Sequence, residues 1–539
     1  MSEPVDLVHA GEQPPGPRRG RLGCLAVLLV GAALLAGAYS YVVWMSNRDL
    51  RQAMAEVDRR EPGGWRLADI EAARQQFPDE DNAALVCLKV QPLVPGGWPL
   101  PHPEPVAPPA TPPREAIEEP GIAPPPGMPP GWRPTAPEQP GCEERMGNLP
   151  RPMLMDARLL RELQLNLRAV EPARVEARRL ADLTDGRFPI QWSLDFISTV
   201  LTSQAARPVI QLLRVEAVVQ AQEGPIDEAC VTVRRMLVAS RSIGDEPTLI
   251  AMLIRVACQT VTVGTLERIL AQGEPSAAEL QRLQGLLEKE MDEPILLYAL
   301  RGERAGMHEL MQAIKTGNVK VKFGALTGAT GMRSSSVLDH LANTAGPTLA
   351  RRSHPRIISL MTDLVEAARL PAEQQAVPLA EYEAKVKQSA ANDIFIRLLL
   401  PAVAKCGEAY RRGQGSLRCA VAAVALERFR REQGRWPDRL DELVPRTLAA
   451  LPVDPGDAQP LRYRRIADGV LVYWVGLDGK DDGGAVGPRP GLPLGKDQGF
   501  RLWDVASRRQ PPREVLAEPA ETPPDPPGEM ALPGANPEL

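Results

Sequence analysis

The sequence predicts a mainly α-helical protein with a single N-terminal transmembrane helix, an irregular helical bundle or array, and a small C-terminal α+β domain. Three observations carry this prediction. Residues 22–44 contain no charge, and residues 153–405 place apolar side chains at helical spacing. Residues 416–505 then place a long helical pattern before short segments that alternate like strands.

The composition bounds both the folded length and the class of partner. Of the 56 prolines, 19 lie in residues 91–140 and nine in the last 29 residues, where a packed core cannot form. The net charge is −5 and aromatic residues make up 4%, which argues against a nucleic-acid binder, since that role requires a basic face for phosphates and aromatic rings for base stacking. We predict the following division: 1–21 cytoplasmic segment, 22–44 transmembrane helix, 45–90 stalk and short helices, 91–152 Pro-rich disordered linker or insertion, 153–390 helical domain, 391–506 α+β module, and 507–539 disordered Pro-rich tail.

Residues Leu22–Trp44 are predicted to span the bilayer, because 23 helical residues cover ~34 Å, enough to cross a hydrocarbon core. Three arginines precede the span, at positions 18, 19 and 21, and Tyr39, Tyr41 and Trp44 form an interfacial belt at its far end. This pattern places the N-terminus inside, the anchor in the cell membrane and the bulk of the chain outside the cytoplasm. The alternative is a signal peptide cleaved at the small residues 36–38.

Between the span and residue 152 we expect a helical stalk that ends at Pro62, two short helices within 67–90, and then the proline tract. The tract reads as an extended polyproline spacer. It could also be a ligand for a proline-binding groove, or an insertion looped out of a domain that begins before it.

The helical body is predicted from its punctuation. Pro208 opens a helix that Gly224 ends, a second helix stops at Gly244, and Ser276 with Glu279 matches a capping box. Short turns join these helices, so we expect antiparallel neighbours. No 34-residue period repeats three times, which favours an irregular array over a tetratricopeptide solenoid.

Several charged residues interrupt the apolar helical runs of the body. They are Asp245, Glu246, Arg255, Arg301, Glu303 and Arg304. Such a group can hold an anionic ligand, or it can form ion pairs between helices. An enzyme whose site assembles around Glu246, Arg255, Arg301 and Glu303 is therefore one alternative function.

Other motifs in the body do not meet the spacing that their chemistry requires. His308-Glu309 is followed by Gln312 where a zinc-protease helix has histidine, and the glycine-rich stretch 324–331 lacks the Lys-Ser/Thr pair of a phosphate loop. The seven cysteines form no CxxC pair. Cys230 and Cys258 could meet between successive helices, but two buried thiols are the more frequent outcome.

The C-terminal module is predicted as one long helix packed on a three-stranded antiparallel sheet. The helix spans 392–432 with a break at 413–415, Gly434 ends it, and Asp438 caps a short helix at 439–444. Three strand-like segments follow, at 461–466, 470–476 and 500–505, with a hairpin turn at residues 468–469.

The order of motifs in this module resembles the C-terminal half of the type II secretion major pseudopilins. The matching stretches are Gly434-Arg435-Trp436-Pro437, Asp454-Pro455 with Tyr463, and Gly476-Leu477-Asp478-Gly479. The family's processing site is absent next to the span, and the module begins some 370 residues after it, so the resemblance implies the fold more than the role. The whole layout also resembles uncharacterised bacterial membrane-anchored proteins that end in such a module.

In the pseudopilins the last of these loops binds calcium. By position, the resemblance implies Asp478, Asp481 and Asp482 as calcium ligands, with backbone carbonyls and Asp497 completing an oxygen shell. The alternative is a solvated Asp-Gly turn. No other cofactor is expected.

The function expected from the sequence is that of a non-catalytic scaffold or binding protein of the cell envelope, anchored in the lipid bilayer by residues 22–44. Its partners would be other envelope proteins and not nucleic acid. A component related to the pseudopilus is a further alternative beside the enzyme.

Overall fold

A computed structural model describes residues 19–99, 141–193, 200–319, 336–486 and 497–512. It confirms a mainly helical protein with a small three-stranded antiparallel sheet near its C-terminus. The helices are α1 (Arg19–Arg60), α2 (Leu67–Ala73), α3 (Ala83–Val90), α4 (Cys142–Asn148), α5 (Ala157–Ala169), α6 (Glu171–Ala177), α7 (Ala206–Glu223), α8 (Ile226–Arg241), α9 (Leu249–Leu270), α10 (Ala277–Met291), α11 (Ile295–Thr316), α12 (Ser336–Ala368), α13 (Ala376–Ala390) and α14 (Ile394–Gln433). The strands are β1 (Ile190–Gln191), β2 (Val200–Leu201), β3 (Arg462–Ile466), β4 (Gly469–Trp474) and β5 (Gln498–Trp503).

Helix α1 is one uninterrupted helix of 42 residues that combines the apolar stretch with the predicted stalk. It stops just before Pro62, as the sequence indicates. Two described helices are long and apolar enough to cross a membrane: residues Leu29–Arg60, whose most apolar window is 0% buried, and Leu249–Leu270, which is 67% buried. The second is helix α9 of the body, so the exposed candidate among the described helices is the N-terminal one, whose length and composition fit a membrane anchor or a signal sequence.

One buried cluster of the core draws residues from both sides of the Pro-rich stretch. Val90 and Trp98 before it, and Cys142 and Met146 after it, belong to one buried cluster with α5, α7 and α8. Residues 91–99 and 141–152 are therefore folded, which corrects the predicted disordered linker at both of its ends. This arrangement fits the alternative in which the stretch is an insertion; residues 100–140 themselves lie outside the described part.

Most of the predicted helix start and stop signals are present. Pro208 lies in the first turn of α7, and Ser276 caps α10 by accepting from the Glu279 backbone N–H at 3.2 Å. Glu279 does not complete the capping box, because its carboxylate binds Arg234 on α8. The two-residue strands β1 and β2, which pair antiparallel, were not predicted.

Helix α14 is continuous through 413–415, so the predicted break is wrong. The glycines there serve close packing instead: a Cβ on Gly415 would lie 2.3 Å from the ring of Trp474, and one on Gly413 would lie 3.1 Å from Val256. Gly434 ends the helix in the left-handed conformation, with φ 71°, as predicted.

The sheet has the order β3-β4-β5, and every residue of the central strand β4 is buried. Helix α14 covers β4 and β5. The short helix that follows α14 is a 3-10 turn at Leu440–Leu443, and Asp438 does not cap it. Glu442 reaches back instead and accepts from the backbone N–H groups of Asp438 and Arg439.

The sheet and α14 are packed into the helical body. Residues of α14, β4 and β5 share one buried cluster with α8, α9 and α10. Beyond the sheet, Arg508 donates to Glu427 on α14, and Gln510 pairs with Met153 in a parallel bridge. The predicted tail thus begins too early, since residues 508–510 bind the body; residues 513–539 lie outside the described part.

Candidate functional site

Two of the predicted charged residues lie in the loop between α8 and α9, and both bind elements outside it. Asp245 accepts from Arg74 Nε at 3.1 Å, and Glu246 accepts from Ser203 Oγ at 3.0 Å. Arg74 and Glu246 are buried. These contacts hold the loop against the N-terminal short helices and the segment that leads into α7.

Arg255 and Glu303 bind the same loop from the side of the body. Arg255 on α9 donates to the Gly244 carbonyl at 2.7 Å, and Glu303 on α11 accepts from the Leu249 backbone N–H at 2.9 Å. In addition, α11 approaches the loop so closely that a Cβ on Gly302 would lie 1.7 Å from a backbone oxygen. Arg255 and Glu303 therefore hold the α8–α9 loop in place, and each of them binds a different backbone group.

A buried ion cluster that the sequence did not indicate lies behind this loop, centred on Glu290 of α10. Glu290 accepts from Arg255 on α9 at 2.8 and 2.6 Å, from Arg241 on α8 at 2.6 Å, and from the Gln259 amide. Burial opposes ionisation of Glu290, but the two guanidinium groups outweigh it and lower its pKa. The cluster joins three helices and leaves no charge on the carboxylate unpaired.

Arg301 and Arg304 belong to a second cluster, which connects the body to α1. Both donate to Glu61 just past the end of α1, Arg301 at 2.7 Å, and Arg369 approaches the same carboxylate at 3.4 Å. Burial disfavours the charged form of Glu61, but Arg304 and Arg301 overcome it, so the pKa is lowered. We call Glu61 with these three arginines the anchor joint.

A histidine pair lies beside the anchor joint. His354 Nε2 lies 3.0 Å from His308 Nδ1, and the fully buried Trp65 packs its ring edge-on against His308. Burial lowers the pKa of His308 to about 4 and that of His354 to about 3, so both imidazoles are neutral at pH 7. His308 thus has a packing partner 46 residues away, which no spacing rule could have found.

Two acids in the α8–α9 region have pKa values near neutrality. Burial raises the pKa of Glu246 to about 7 against the opposing effects of Arg74 and Ser203. Burial also raises the pKa of Glu303 to about 7, opposed by the Leu249 backbone N–H. Shifts of this kind occur at catalytic sites and at structural ones, so geometry must decide between them.

The four residues of the enzyme alternative do not share a partner. Glu246, Arg255, Arg301 and Glu303 bind Ser203, Glu290, Glu61 and the Leu249 backbone N–H, respectively. Two open clefts on the described part of the chain have volumes of 530 and 640 Å³. Both lie beside the Pro-rich stretch, near Pro99 and Trp98, and none of the four residues lines either of them.

The predicted calcium ligands are engaged with neighbouring groups. Asp478 accepts from the Lys480 backbone N–H at 3.2 Å; Asp481 accepts from the Gly483 N–H at 2.9 Å and from the Tyr473 hydroxyl at 3.1 Å. Such contacts are typical of Asp-Gly turns. Within the described ranges, no group of three or more His, Cys, Asp or Glu residues is placed to hold a metal ion.

Asp497 and Asp482 lie at the far end of the same loop. Asp497 is buried, accepts from the Gly484 backbone N–H at 2.7 Å, and leaves its other oxygen, Oδ1, without a described partner. Burial raises the pKa of Asp497, and the negative charges of Asp481 and Asp482 add to the rise. The glycine-rich stretch 324–331 lies outside the described part.

Residues Pro437, Asp454 and Tyr463 lie around the C-terminal sheet. Tyr463 on β3 donates to the Pro437 carbonyl at 2.8 Å, which ties the sheet to the turn after α14. Asp454 is buried and accepts from the Gly456 and Val475 backbone N–H groups at 2.6 and 2.9 Å. Their role in this chain is to fix the loops around the sheet.

Cys230 and Cys258 are buried free thiols, which agrees with the expectation from the sequence. Burial raises the pKa of both of those thiols, to about 12 for Cys258. A thiol that stays protonated is a poor nucleophile, so these two cysteines are core residues.

Comparison with known proteins adds no relative from which a role could be transferred: no protein-family model, no curated protein and no solved structure matches this chain.

Proposed function

We propose that this chain is a single-pass membrane protein whose helical body lies outside the cytoplasm and serves as a non-catalytic scaffold or binding component of the cell envelope. The observation that carries the proposal is the division of α1 into two halves. The first half exposes large apolar side chains, with Leu34 71% and Leu35 75% accessible, whereas Leu50 and Val57 in the second half are buried against the body. A surface of this kind favours a lipid environment.

Retention of the span is favoured over cleavage by the residues that follow Ala38. Tyr39, Tyr41 and Trp44 remain exposed by half or more, and they would face water in a protein cleaved at the small residues. In a bilayer the same rings would lie at the headgroup level, where tyrosine and tryptophan are enriched.

Extraction and topology measurements test the anchor. The full-length chain is expected to stay in the membrane fraction after alkaline carbonate treatment, and protease added to intact spheroplasts is expected to digest its body. The double variant Leu34→Arg/Leu35→Arg should be released, because each charge at the centre of a span costs about 2.5–3.5 kcal/mol. A wild-type chain found soluble, or shortened to begin near residue 39, would contradict the proposal.

A non-catalytic role is supported by the internal pairing of the charged residues. Arg241 and Arg255 share Glu290, and Arg301 and Arg304 share Glu61. The test is cross-linking in intact cells followed by isolation of the full chain and identification of bound proteins. We expect the same envelope proteins with the wild-type chain and with Glu303→Gln. A chain that yields no cross-linked partner but consumes a small molecule would favour the enzyme alternative.

A component related to the pseudopilus is the second candidate, and the observation in its favour is the contact between Tyr463 and Pro437 described above. Loss of type II secretion on deletion of this chain, restored by the wild-type chain but not by one truncated before α14, would support it. Normal secretion after the deletion would remove it.

A further inference from the structure

We infer that a basic surface beside the end of the span, where α1, α11 and α12 pack together, binds the anionic phospholipid headgroups of the bilayer holding α1. This inference rests on the proposed membrane anchor. The surface, which we call the basic collar, consists of Arg48 and Arg51 on α1, Lys315 on α11, and Arg351 and Arg352 on α12.

Helices α1 and α12 run in the same direction, which brings their arginines to one level. Val57 on α1 and Ile358 on α12 share one apolar cluster. Further along both helices, just past their C-terminal ends, Glu61 approaches Arg369. Arg51 precedes Val57 by six residues and Arg352 precedes Ile358 by six, so each arginine lies ~9 Å along its helix from that residue, on the side of the span. Arg351 and Arg48 lie on the same side, at ~10 and ~14 Å.

Helix α11 runs antiparallel to α12 and adds Lys315 to this end. The contact of His308 with His354 fixes the pairing of the two helices. Lys315 lies seven residues after His308, ~10 Å further toward the span. The positive charge of Arg351 contributes to lowering the pKa of Lys315, after burial, so these two cations are near each other.

The collar lies at the depth of the interfacial aromatic residues. Tyr41 and Trp44 stack with their ring centroids 6.3 Å apart, and the guanidinium of Arg48 lies 5.9 Å from the Trp44 ring centre. Arg48 is one helical turn beyond Trp44, a rise of ~6 Å. If Trp44 marks the interface, the collar lies within about one Debye length of the headgroups, roughly 8–10 Å.

None of the five collar cations forms an ion pair with any residue in the described ranges, whereas buried Arg241 and Arg255 share a carboxylate. The Nε of Arg351 is buried and has no hydrogen-bond partner there.

Three acidic side chains lie near the five collar cations: Asp49 on α1, Glu309 on α11, and Asp393, which accepts from Ser353 on α12, so positive charge predominates. Clustered cations without counter-ions repel one another, and a phosphate group offsets that repulsion. The bilayer is the source of phosphate that the anchor itself brings to this surface.

The test uses the full-length chain in nanodiscs made of phosphatidylcholine with phosphatidylglycerol. After mild detergent extraction, mass spectrometry gives the ratio of the two lipids bound to the protein. The wild-type chain is expected to enrich phosphatidylglycerol well above its share in the disc, and added salt should reduce the enrichment. Each Lys or Arg near an anionic surface contributes roughly fivefold in binding.

A collar variant changes Arg48, Arg51, Lys315, Arg351 and Arg352 to Gln, and it should return the lipid ratio to that of the disc. A matched control changes exposed basic residues elsewhere, Arg161, Arg168, Lys387 and Arg397, to Gln and should keep the enrichment. Equal enrichment by the collar variant and the wild type, or its loss in the control variant, would overturn the inference.

Two further arms separate the possible failures. If inorganic phosphate alone, added to the protein in detergent, raises Tm for the wild type but not for the collar variant and abolishes the lipid enrichment, the surface binds a soluble anion and the inference is wrong. Carbonate extraction of the same preparations reports on the anchor independently. A chain that stays in the membrane without enriching anionic lipid refutes the collar alone, whereas an extracted chain refutes the proposed anchor.

Discussion

Replacement of Glu303 by Gln is expected to stabilise the protein at alkaline pH and to leave it unchanged in acid. Glu303 lies on α11 and is 8% exposed. Its one described partner is the Leu249 backbone N–H at 2.9 Å, and no guanidinium is paired with it. Burial raises its pKa from an ordinary value of 4.5 to about 7. Glutamine keeps the accepting oxygen for Leu249 and cannot ionise.

The direction of the change in stability with pH follows from the number of protons that the folded and the unfolded chain bind. Between pH 4.5 and about 7 the folded chain holds a proton on Glu303 that the unfolded chain has released, so stability falls as the pH rises through this window and is level above it. A pKa shift from 4.5 to about 7 corresponds to about 3 kcal/mol of folding stability. The variant should therefore be more stable than the wild type by about 3 kcal/mol at pH 8 and of equal stability near pH 4.5.

Thermal unfolding in one detergent, at pH 5 and at pH 8, measures this difference. For a body of roughly 400 residues the unfolding entropy is on the order of 0.8 kcal/mol per kelvin, so the variant's Tm should exceed that of the wild type by about 4 °C at pH 8. Glu309→Gln, on the same helix but only half-buried, is the control and should show no such pH dependence. A gain of equal size at both pH values, or a loss at pH 8, would refute the reasoning.

Three further predictions test packing, charge and metal binding. Glu290→Gln should destabilise the protein by about 3–5 kcal/mol, because buried Arg255 loses its counter-ion and buried Arg241 keeps only the partly exposed Asp185 and Glu293. Glu293→Gln, at a partly exposed site, should cost less than about 1 kcal/mol, and similar losses in chemical denaturation would contradict this. Gly302→Ala should lower Tm because its Cβ would overlap backbone, whereas Gly285→Ala, with open space around it, should gain about 0.5–1 kcal/mol; equal Tm values would refute the close approach. The calcium hypothesis predicts that calcium at about millimolar concentration raises Tm and that Asp481→Asn abolishes the rise; an unchanged wild-type Tm would exclude it.

Elements whose cause is local could be predicted from the sequence. Gly434 takes the left-handed conformation and Ser276 caps its helix, because the residues that decide these features lie within one turn of each other. The central strand β4 was recognisable because it is apolar on both faces. The glycines at 413 and 415 predict a break in the helix, but they permit close packing instead. The sequence alone does not distinguish these two uses of glycine.

The partners of the charged clusters could not be predicted from neighbouring residues in the sequence. Arg301 and Arg304 were singled out as a possible ligand site, but their partner Glu61 lies 240 and 243 residues away. Glu290 was overlooked for the same reason, although it is only 35 residues from Arg255. A charge in an apolar helical run indicates that a partner exists, and the fold alone determines whether that partner is a ligand or another side chain.

The anchor joint and the basic collar depend on each other physically. A helix that left the membrane and continued as a free stalk would let the body swing, and cations on α11 and α12 would spend little time near the headgroups. Glu61 prevents this by binding arginines from α11 and from the end of α12, while Trp65 fills the space between α1 and His308. Because these contacts hold three helices at a fixed height, the collar cations are presented to the membrane together. The binding of one headgroup then lowers the entropic cost of binding the next.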